Sequence, residues 1–161
     1  MLIKILGACL VGGCFFSICR AYLDKEKKKA SEGEGFLRLL RFLRAEIASF
    51  GTPTGEIFSR FSNEALSSCG FLELLRNEGF SAALSAARPR LSVTDEVYLL
   101  LSAFGEELGK RYLSEELARL DYYIGALSEL LEGAKREAPK RARLCRALLF
   151  CAAGMVIIFL L

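Results

Sequence analysis

Uncharged apolar residues occupy both ends of this chain. Residues 5–19 (ILGACLVGGCFFSIC) and 147–161 (ALLFCAAGMVIIFLL) each form a run of 15 residues without a charge. A helix of 15 residues is about 22 Å long, whereas the hydrocarbon core of a bilayer is about 30 Å thick. Basic side chains beside each run can reach the headgroups while their stems lie in lipid. The pattern therefore predicts two transmembrane helices, residues 1–22 and 144–161.

Between these ends, apolar residues recur every three or four positions, which is typical of amphipathic helices. Residues 36–50 (FLRLLRFLRAEIASF) show the pattern clearly, with Arg38, Arg41 and Arg44 on the face opposite the apolar one. The apolar face consists of Phe36, Leu39, Leu40, Leu43, Ile47 and Phe50. This segment is predicted to be a helix with a basic outer face.

Glycine and proline mark the helix ends in the first half of the interior. Gly51 ends the helix at 36–50, and Thr52 with Pro53 can begin the next, because proline is tolerated at the first helical position. The arrangement recurs in FLELLRNEGFSAAL, where Gly79 stops one helix and Ser81 is a candidate cap for another. Two helix–glycine–helix hairpins are therefore predicted.

Two further helices are predicted in the second half. Thr94 can cap DEVYLLLSAFGEELG, which has almost no polar face and is expected to be the central helix of a bundle. Another helix begins at Ser114 and is expected to kink or break at Pro139. Its apolar side is Leu117, Leu120, Ile124, Leu127 and Leu131.

No strand signal competes with this pattern, since period-two alternation is missing and valine and threonine are scarce. The fold class predicted is all-α. It consists of a small antiparallel helical bundle of about five to six helices, residues 23–143, between an N-terminal and a C-terminal transmembrane helix.

Basic residues form a collar on the inner side of each predicted span. Residues 20–29 carry five positive and two negative charges, and residues 135–146 carry six positive and one negative. By the positive-inside rule, both collars and the bundle between them lie in the cytoplasm. A cleaved signal peptide is the alternative for the N-terminus, but no A-x-A site precedes Arg20. The membrane-flanking residues are Arg20, Lys25, Lys27, Lys28, Lys29, Lys140, Arg141, Arg143 and Arg146.

The interior, by contrast, is acidic: residues 30–134 carry ten basic and sixteen acidic side chains. This excess is either ordinary surface charge or a docking face for a basic partner. The candidate docking residues are Glu106, Glu107, Glu115 and Glu116. Nucleic acid is not expected as a partner, because the basic residues lie where lipid headgroups compete for them.

The composition also limits the chemistry. The chain has no histidine, which removes the commonest general base and the usual zinc and haem ligand. Of six cysteines only Cys69 lies well inside the interior, and no CxxC pair occurs. The adjacent pairs Glu106–Glu107 and Tyr122–Tyr123 point different ways on a helix. We therefore expect no enzyme activity, no cofactor, no metal and no small-molecule substrate.

The order of these features resembles the stage III sporulation protein AB family. The resemblance rests on the GTPTGEIF turn, the second glycine-terminated hairpin and AFGEELGKRYLSEEL, in which Phe104-Gly105 and Leu108-Gly109 precede the helix start at Ser114. It implies a bundle similar to the cytoplasmic domain of the type II secretion inner-membrane platform protein F. It also implies a place in the mother cell membrane, within a secretion-like complex.

Two functions remain as hypotheses. The first is a non-enzymatic scaffold of a transenvelope sporulation channel, whose implied partners are a cytoplasmic secretion-type ATPase and other membrane subunits. The alternative is a small two-span pore or holin-like protein, although no polar stripe or charge inside the uncharged runs 5–19 and 147–161 marks a pathway.

Overall fold

The computed structural model describes the backbone at residues 2–50, 54–109 and 112–160, and side chains at 13, 16–49, 54–109, 112–145, 147, 148, 151 and 154. Within these residues there are seven helices and no strand, which confirms the predicted all-α class. The helices are α1 (Leu2–Phe50), α2 (Thr54–Arg60), α3 (Glu64–Ser68), α4 (Phe71–Glu78), α5 (Phe80–Ala87), α6 (Asp95–Glu107) and α7 (Leu113–Leu160).

The chain forms two compact units. One, here called the terminal unit, consists of Met1–Lys27 and Ala134–Leu161. The other, here called the bundle, is Lys28–Gly133. The first and last helices contribute residues to both units, whereas α2 to α6 belong to the bundle alone.

Both long helices extend beyond the boundaries predicted from the sequence. The first, α1, is continuous over 49 residues because the segment between its two apolar parts holds lysine, glutamate and alanine, which favour helix, and no proline. The last, α7, is continuous over 48 residues and passes through Pro139 without interruption. Proline removes one backbone hydrogen bond and can bend a helix without ending it.

The start of α7 also differs by one residue. The carbonyl of Tyr112 accepts hydrogen bonds from the N–H groups of Glu115 (3.1 Å) and Glu116 (3.0 Å). The helix therefore begins at Leu113, and Ser114 lies within its first turn instead of preceding it.

A connected series of aromatic rings runs through the core of the bundle. Phe36 of α1 contacts Phe71 of α4 with 4.9 Å between ring centroids, and Phe71 contacts Phe80 of α5 at 5.8 Å. Phe80 in turn contacts Phe104 of α6 at 5.1 Å, and Phe104 contacts Tyr123 of α7 at 5.3 Å. All four contacts are edge-to-face, the geometry that aromatic quadrupoles prefer. Five helices are thus joined by one aromatic series.

The predicted faces of α1 are confirmed. Its buried stripe is Phe36, Leu39, Leu40, Leu43 and Ile47, while Phe50 has no described side chain. On the opposite face, Arg38, Arg41 and Arg44 are exposed, and Arg44 pairs with Asp121 of α7. This ion pair lowers the pKa of Asp121 through its hydrogen bonds to the guanidinium.

Two glycines of α1 allow close packing that the sequence analysis did not foresee. A Cβ added at Gly33 would lie 2.5 Å from Cδ2 of Leu131. A Cβ added at Gly35 would lie 2.9 Å from Oδ1 of Asn63, whose side chain caps α3 by accepting the N–H of Leu66 (3.1 Å). The helical cost of these glycines is therefore offset by closer approach of neighbouring elements.

The short helices match the predicted hairpins in part. Gly79 ends α4 with φ of +81°, a conformation that favours glycine, so this predicted stop is confirmed. The next helix begins at Phe80, so Ser81 does not cap it. The predicted turn at Gly51, Thr52 and Pro53 lies outside the described residues.

The structure corrects the role predicted for α6. Thr94 caps this helix as expected, by accepting the N–H of Val97 at 3.4 Å. However, only Val97, Leu101 and Phe104 are buried, and Leu99 is 66% exposed. The helix therefore lies at the surface of the bundle. One of its faces is packed, and apolar residues on the other face, such as Leu99, stay exposed.

No helix among the described residues combines the length and the apolar character needed to cross a membrane. Most side chains of the two predicted spans, 1–22 and 144–161, fall outside the described residues. The spans and the cytoplasmic position of the bundle remain predictions.

Candidate docking surface on the α6–α7 hairpin

The turn between α6 and α7 depends on one glycine and one buried carboxylate. Gly109 has φ of +77°, which favours glycine, and its N–H donates to Oε1 of Glu116 at 3.0 Å. Glu116 is only 8% exposed. A predicted docking residue is therefore a capping residue, and its carboxylate is not available to a partner.

The Phe104-Gly105 pair holds α6 against α5. Phe104 is 3% exposed and lies between the rings of Phe80 and Tyr123. A Cβ added at Gly105 would lie 2.8 Å from Cδ1 of Phe80 and 3.4 Å from the Cα of Ser81. The pair thus has a packing role, in which the absence of a side chain at Gly105 lets the two helices approach.

Glu107 belongs to a polar network that joins the two helices of the hairpin. Its Oε2 accepts a hydrogen bond from the Tyr123 hydroxyl at 3.1 Å and forms an ion pair with Arg119. Burial, followed by the nearby Glu107 carboxylate, raises the pKa of Tyr123. This second predicted docking residue therefore ties α6 to α7, and Tyr123 stays a neutral hydrogen-bond donor.

Glu106 and Glu115, the other two predicted docking residues, are exposed. Glu96 and Glu129 are exposed as well, and so are the large apolar side chains of Leu99 and Tyr122. The charge pattern of the sequence alone did not indicate a docking role for Glu96, Glu129, Leu99 or Tyr122. Their spacing in the sequence could have indicated a shared face. Positions 96, 99 and 106 on α6, and positions 122 and 129 on α7, are three or seven residues apart, which places each set on one side of its helix.

In the terminal unit, the structure brings the two basic collars together. Oε2 of Glu26 lies 3.8 Å from Nη1 of Arg141, and Nζ of Lys140 donates to Glu137 at 3.1 Å. Arg20, Lys25, Lys27 and Arg143 are exposed in the same unit, whereas the Arg146 side chain is not described. Lys28 and Lys29 belong to the bundle.

A buried carboxylate in α1 was missed by the sequence analysis. Glu32 is 1% exposed, its Oε2 accepts the N–H of Ser92 at 2.6 Å, and its Oε1 lies 3.8 Å from Nζ of Lys28. Burial raises the pKa of Glu32, although the N–H groups of Ser92 and Val93 and the Lys28 charge oppose the rise. The sequence could have indicated this burial, because Glu32 lies four residues before Phe36 and therefore on the same face of α1 as the buried stripe.

A polar cleft of about 350 Å³ lies between α1 and the start of α3, where Ser31, Arg38, Asn63 and Glu64 line it. Acidic and basic side chains share its wall, so it favours no ligand charge. No group of three or more potential metal ligands occurs in the described part of the chain. The surface of the α6–α7 hairpin is therefore the stronger candidate for a functional site.

Comparison with known families agrees with the resemblance noted in the sequence. The chain matches the family described as Stage III sporulation protein AB over residues 4–161. Comparisons with curated proteins and with solved structures found no match. Since the match covers almost the whole chain, this protein belongs to the stage III sporulation protein AB family.

Proposed function

We propose that this sporulation protein is a non-enzymatic membrane scaffold. In this role it is a platform subunit of a secretion-like channel complex and docks a cytoplasmic secretion-type ATPase. Family membership supports the sporulation role. The ATPase, the channel and the likeness to the type II secretion protein F come from the resemblance and are part of the proposal.

The observation that carries the proposal is the pairing of the two collars in the terminal unit. Glu26 and Arg141 are 3.8 Å apart, so cationic segments that are distant in sequence are neighbours in space. Large apolar side chains of the same unit are exposed, and insertion into lipid would remove this apolar surface from water. They are Phe16, Ile18, Tyr22, Leu144 and Leu148.

A scaffold role also fits the polar groups of the bundle. Glu107, Arg119 and Tyr123 are engaged with one another, and Glu116 holds the turn at Gly109. A general acid or base must instead reach a substrate. The carboxylates left at the surface suit recognition of a cationic partner.

The membrane part of the proposal is tested by fractionation of the full chain from sporulating cells. We expect the intact polypeptide in the membrane pellet, resistant to alkaline extraction and released by detergent. Recovery of intact chain in the soluble fraction without detergent would overturn the membrane role.

The cytoplasmic position is tested with a membrane-impermeant thiol reagent. Cys69 is unsuitable because it is buried, which also raises the pKa of its thiol and slows labelling. Ser85 is exposed, so the Ser85→Cys variant offers a reporter, with the labelled peptide identified by mass spectrometry. We expect labelling only after permeabilisation, and labelling of intact cells would contradict the proposed orientation.

The ATPase part is tested by copurification. Tagged full-length chain, extracted from sporulating cells in mild detergent, is expected to retain a secretion-type ATPase. Absence of any such ATPase under conditions that retain other membrane subunits would remove it as the direct partner.

A further inference from the structure

The exposed side of the α6–α7 hairpin carries two neighbouring stripes. On α6 the exposed positions include 96, 99, 103 and 106, and on α7 they include 118, 122, 125 and 129. Both sets step by three and four residues, so each follows one face of its helix. The helices are neighbours, because Phe104 contacts Tyr123 and Glu107 pairs with Arg119. Since both bury the opposite face, the two stripes lie on the same side of the hairpin.

Apolar anchors are concentrated at this hairpin. Among the described residues of the bundle, the large apolar side chains that are exposed all lie in α6, in α7 or just before α7. Single exposed apolar residues are normal, but their concentration on one hairpin favours an interaction surface there. These side chains are Leu99, Tyr112, Leu113 and Tyr122, of which Leu99 and Tyr122 belong to the two stripes.

The helical segments that hold Leu99 and Tyr122 are predominantly acidic, whereas Lys110 and Arg111 precede Tyr112 and Leu113 in the sequence. Residues 95–107 contain no lysine or arginine, and residues 113–133 contain only Arg119, which is paired with Glu107. Glu96, Glu106 and Glu129 are exposed and form no ion pair within the described part of the chain. Such a surface repels anionic partners and lipids, and it attracts a cationic partner.

An exposed glycine lies among these residues. Gly125 is in the interior of α7, and a Cβ added there would meet nothing within 4 Å. Glycine in a helix interior is destabilising relative to alanine, and no contact within the bundle accounts for it. At a docking surface, the missing side chain lets the backbone of a partner approach α7 closely.

We propose that this face of the α6–α7 hairpin binds a basic amphipathic helix of a partner protein. Two adjacent helical stripes form a groove into which the apolar side of a third helix can pack. Leu99 and Tyr122 contact the apolar side of that helix, Gly125 allows its backbone to approach, and Glu96, Glu106 and Glu129 pair with its lysines or arginines. The inference rests on the proposed scaffold function, and it names the surface and the chemistry of the docked element.

Site-specific photo-crosslinking tests this proposal on the full chain in sporulating cells. A photoreactive phenylalanine analogue replaces Tyr122, and the crosslinked peptide is identified by mass spectrometry. We expect a segment of another protein with net positive charge and apolar residues spaced by three and four. Adducts confined to lipid or to a second copy of this chain, an acidic or non-helical segment, or no protein adduct would overturn the proposal.

Charge reversal tests the contribution of the acidic rim. The double variant Glu106→Lys/Glu129→Lys is expected to lower the crosslinking yield at position 122 by about tenfold, since like charges at an interface oppose association. The matched control Glu73→Lys/Glu78→Lys changes the net charge equally on α4, where both residues are exposed. Equal yields in the two double variants would contradict an electrostatic role for this face.

The inference and the proposed function can fail separately. Recovery of intact chain in the soluble fraction, or normal sporulation after deletion of the gene, would contradict the scaffold function itself. Membrane-bound chain that supports sporulation but gives no basic helical adduct at position 122 leaves the scaffold function standing and removes this docking surface.

Discussion

The two faces of the α6–α7 hairpin differ in how far their side chains are engaged within the protein. On the inner face, Phe104 and Tyr123 are packed, Glu116 caps the turn, and Glu107 is tied to Arg119. On the outer face, Leu99 and Tyr122 are exposed, and a Cβ added at Gly125 would meet nothing within 4 Å.

This difference separates residues that build the hairpin from residues available to a partner. The Phe104-Gly105 and Leu108-Gly109 motif, which is one part of the family resemblance, lies on the inner face or in the turn. Its physical role is packing and turn formation. The same helices therefore hold a structural motif on one side and a candidate binding surface on the other.

The largest expected effect comes from emptying the inner face. Phe104→Ala removes a buried ring between Phe80 and Tyr123 and is expected to lower the free energy of unfolding by about 3–5 kcal/mol. Urea unfolding of the full chain in detergent, followed by circular dichroism, measures the change. The outer-face variant Tyr122→Ala loses only the edge-to-face contact with the Tyr123 ring, 5.4 Å away between centroids, and should cost about 0.5–1.5 kcal/mol. Similar losses in both variants would contradict the contrast between the faces.

A smaller effect is expected at the turn. Glu116→Ala leaves the N–H of Gly109 without its acceptor, so the free energy of unfolding should fall by about 1–3 kcal/mol. Glu116→Gln retains an acceptor oxygen and should recover most of this loss. Glu106→Ala is the exposed control, with little change expected. Full stability in Glu116→Ala, measured by the same urea titration, would show that the cap contributes nothing.

The two glycines offer the most closely matched comparison. Gly105→Ala brings a Cβ to 2.8 Å from the Phe80 ring, so we expect a loss of about 1–2 kcal/mol from overpacking. Gly125→Ala adds a methyl group to open space and should raise the free energy of unfolding by about 0.5–1 kcal/mol. Thermal unfolding of both variants measures these opposite signs. Destabilisation by Gly125→Ala would indicate that its outer surface is packed within the molecule.

The smallest expected effect is on the pH dependence of stability, and its test compares the buried Glu32 with an exposed glutamate. Because burial raises the pKa of Glu32, the folded chain holds this proton more tightly than the unfolded chain. The contribution of Glu32 to stability is therefore largest at low pH and falls as pH rises through its raised pKa. Glu32→Gln should remove this decline, whereas Glu129→Gln should leave it in place. A pH series of urea titrations on the three chains measures it, and identical slopes would contradict the assignment to Glu32.

Much of the fold could be predicted because helical periodicity is a local property. The buried stripe of α1, the cap at Thr94 and the stop at Gly79 follow from residue type and spacing. The position of α6 did not follow, because an apolar helix at the surface and one at the centre have the same local pattern. Only the tertiary packing shows that Leu99 is exposed.

The candidate site was predictable only as a region. The sequence indicated acidic residues around the α6–α7 turn, but not that Glu116 is buried as a cap or that Glu107 is engaged with Tyr123. These roles depend on contacts between residues that are separated by 7 positions (Gly109 and Glu116) or by 16 positions (Glu107 and Tyr123). Counting charges along the sequence does not reveal such contacts. Leu99 and Tyr122 could be identified as exposed residues of the site only from the burial pattern of both helices.

The central claim is that the outer face of the α6–α7 hairpin serves binding and not folding. The most direct test measures unfolding free energy and heat-resistant spore yield on the same variant, Glu106→Lys/Glu129→Lys. Because both side chains are exposed, we predict a free energy within about 1 kcal/mol of the wild type, together with a strongly reduced spore yield. A normal spore yield from this stable variant would contradict the claim.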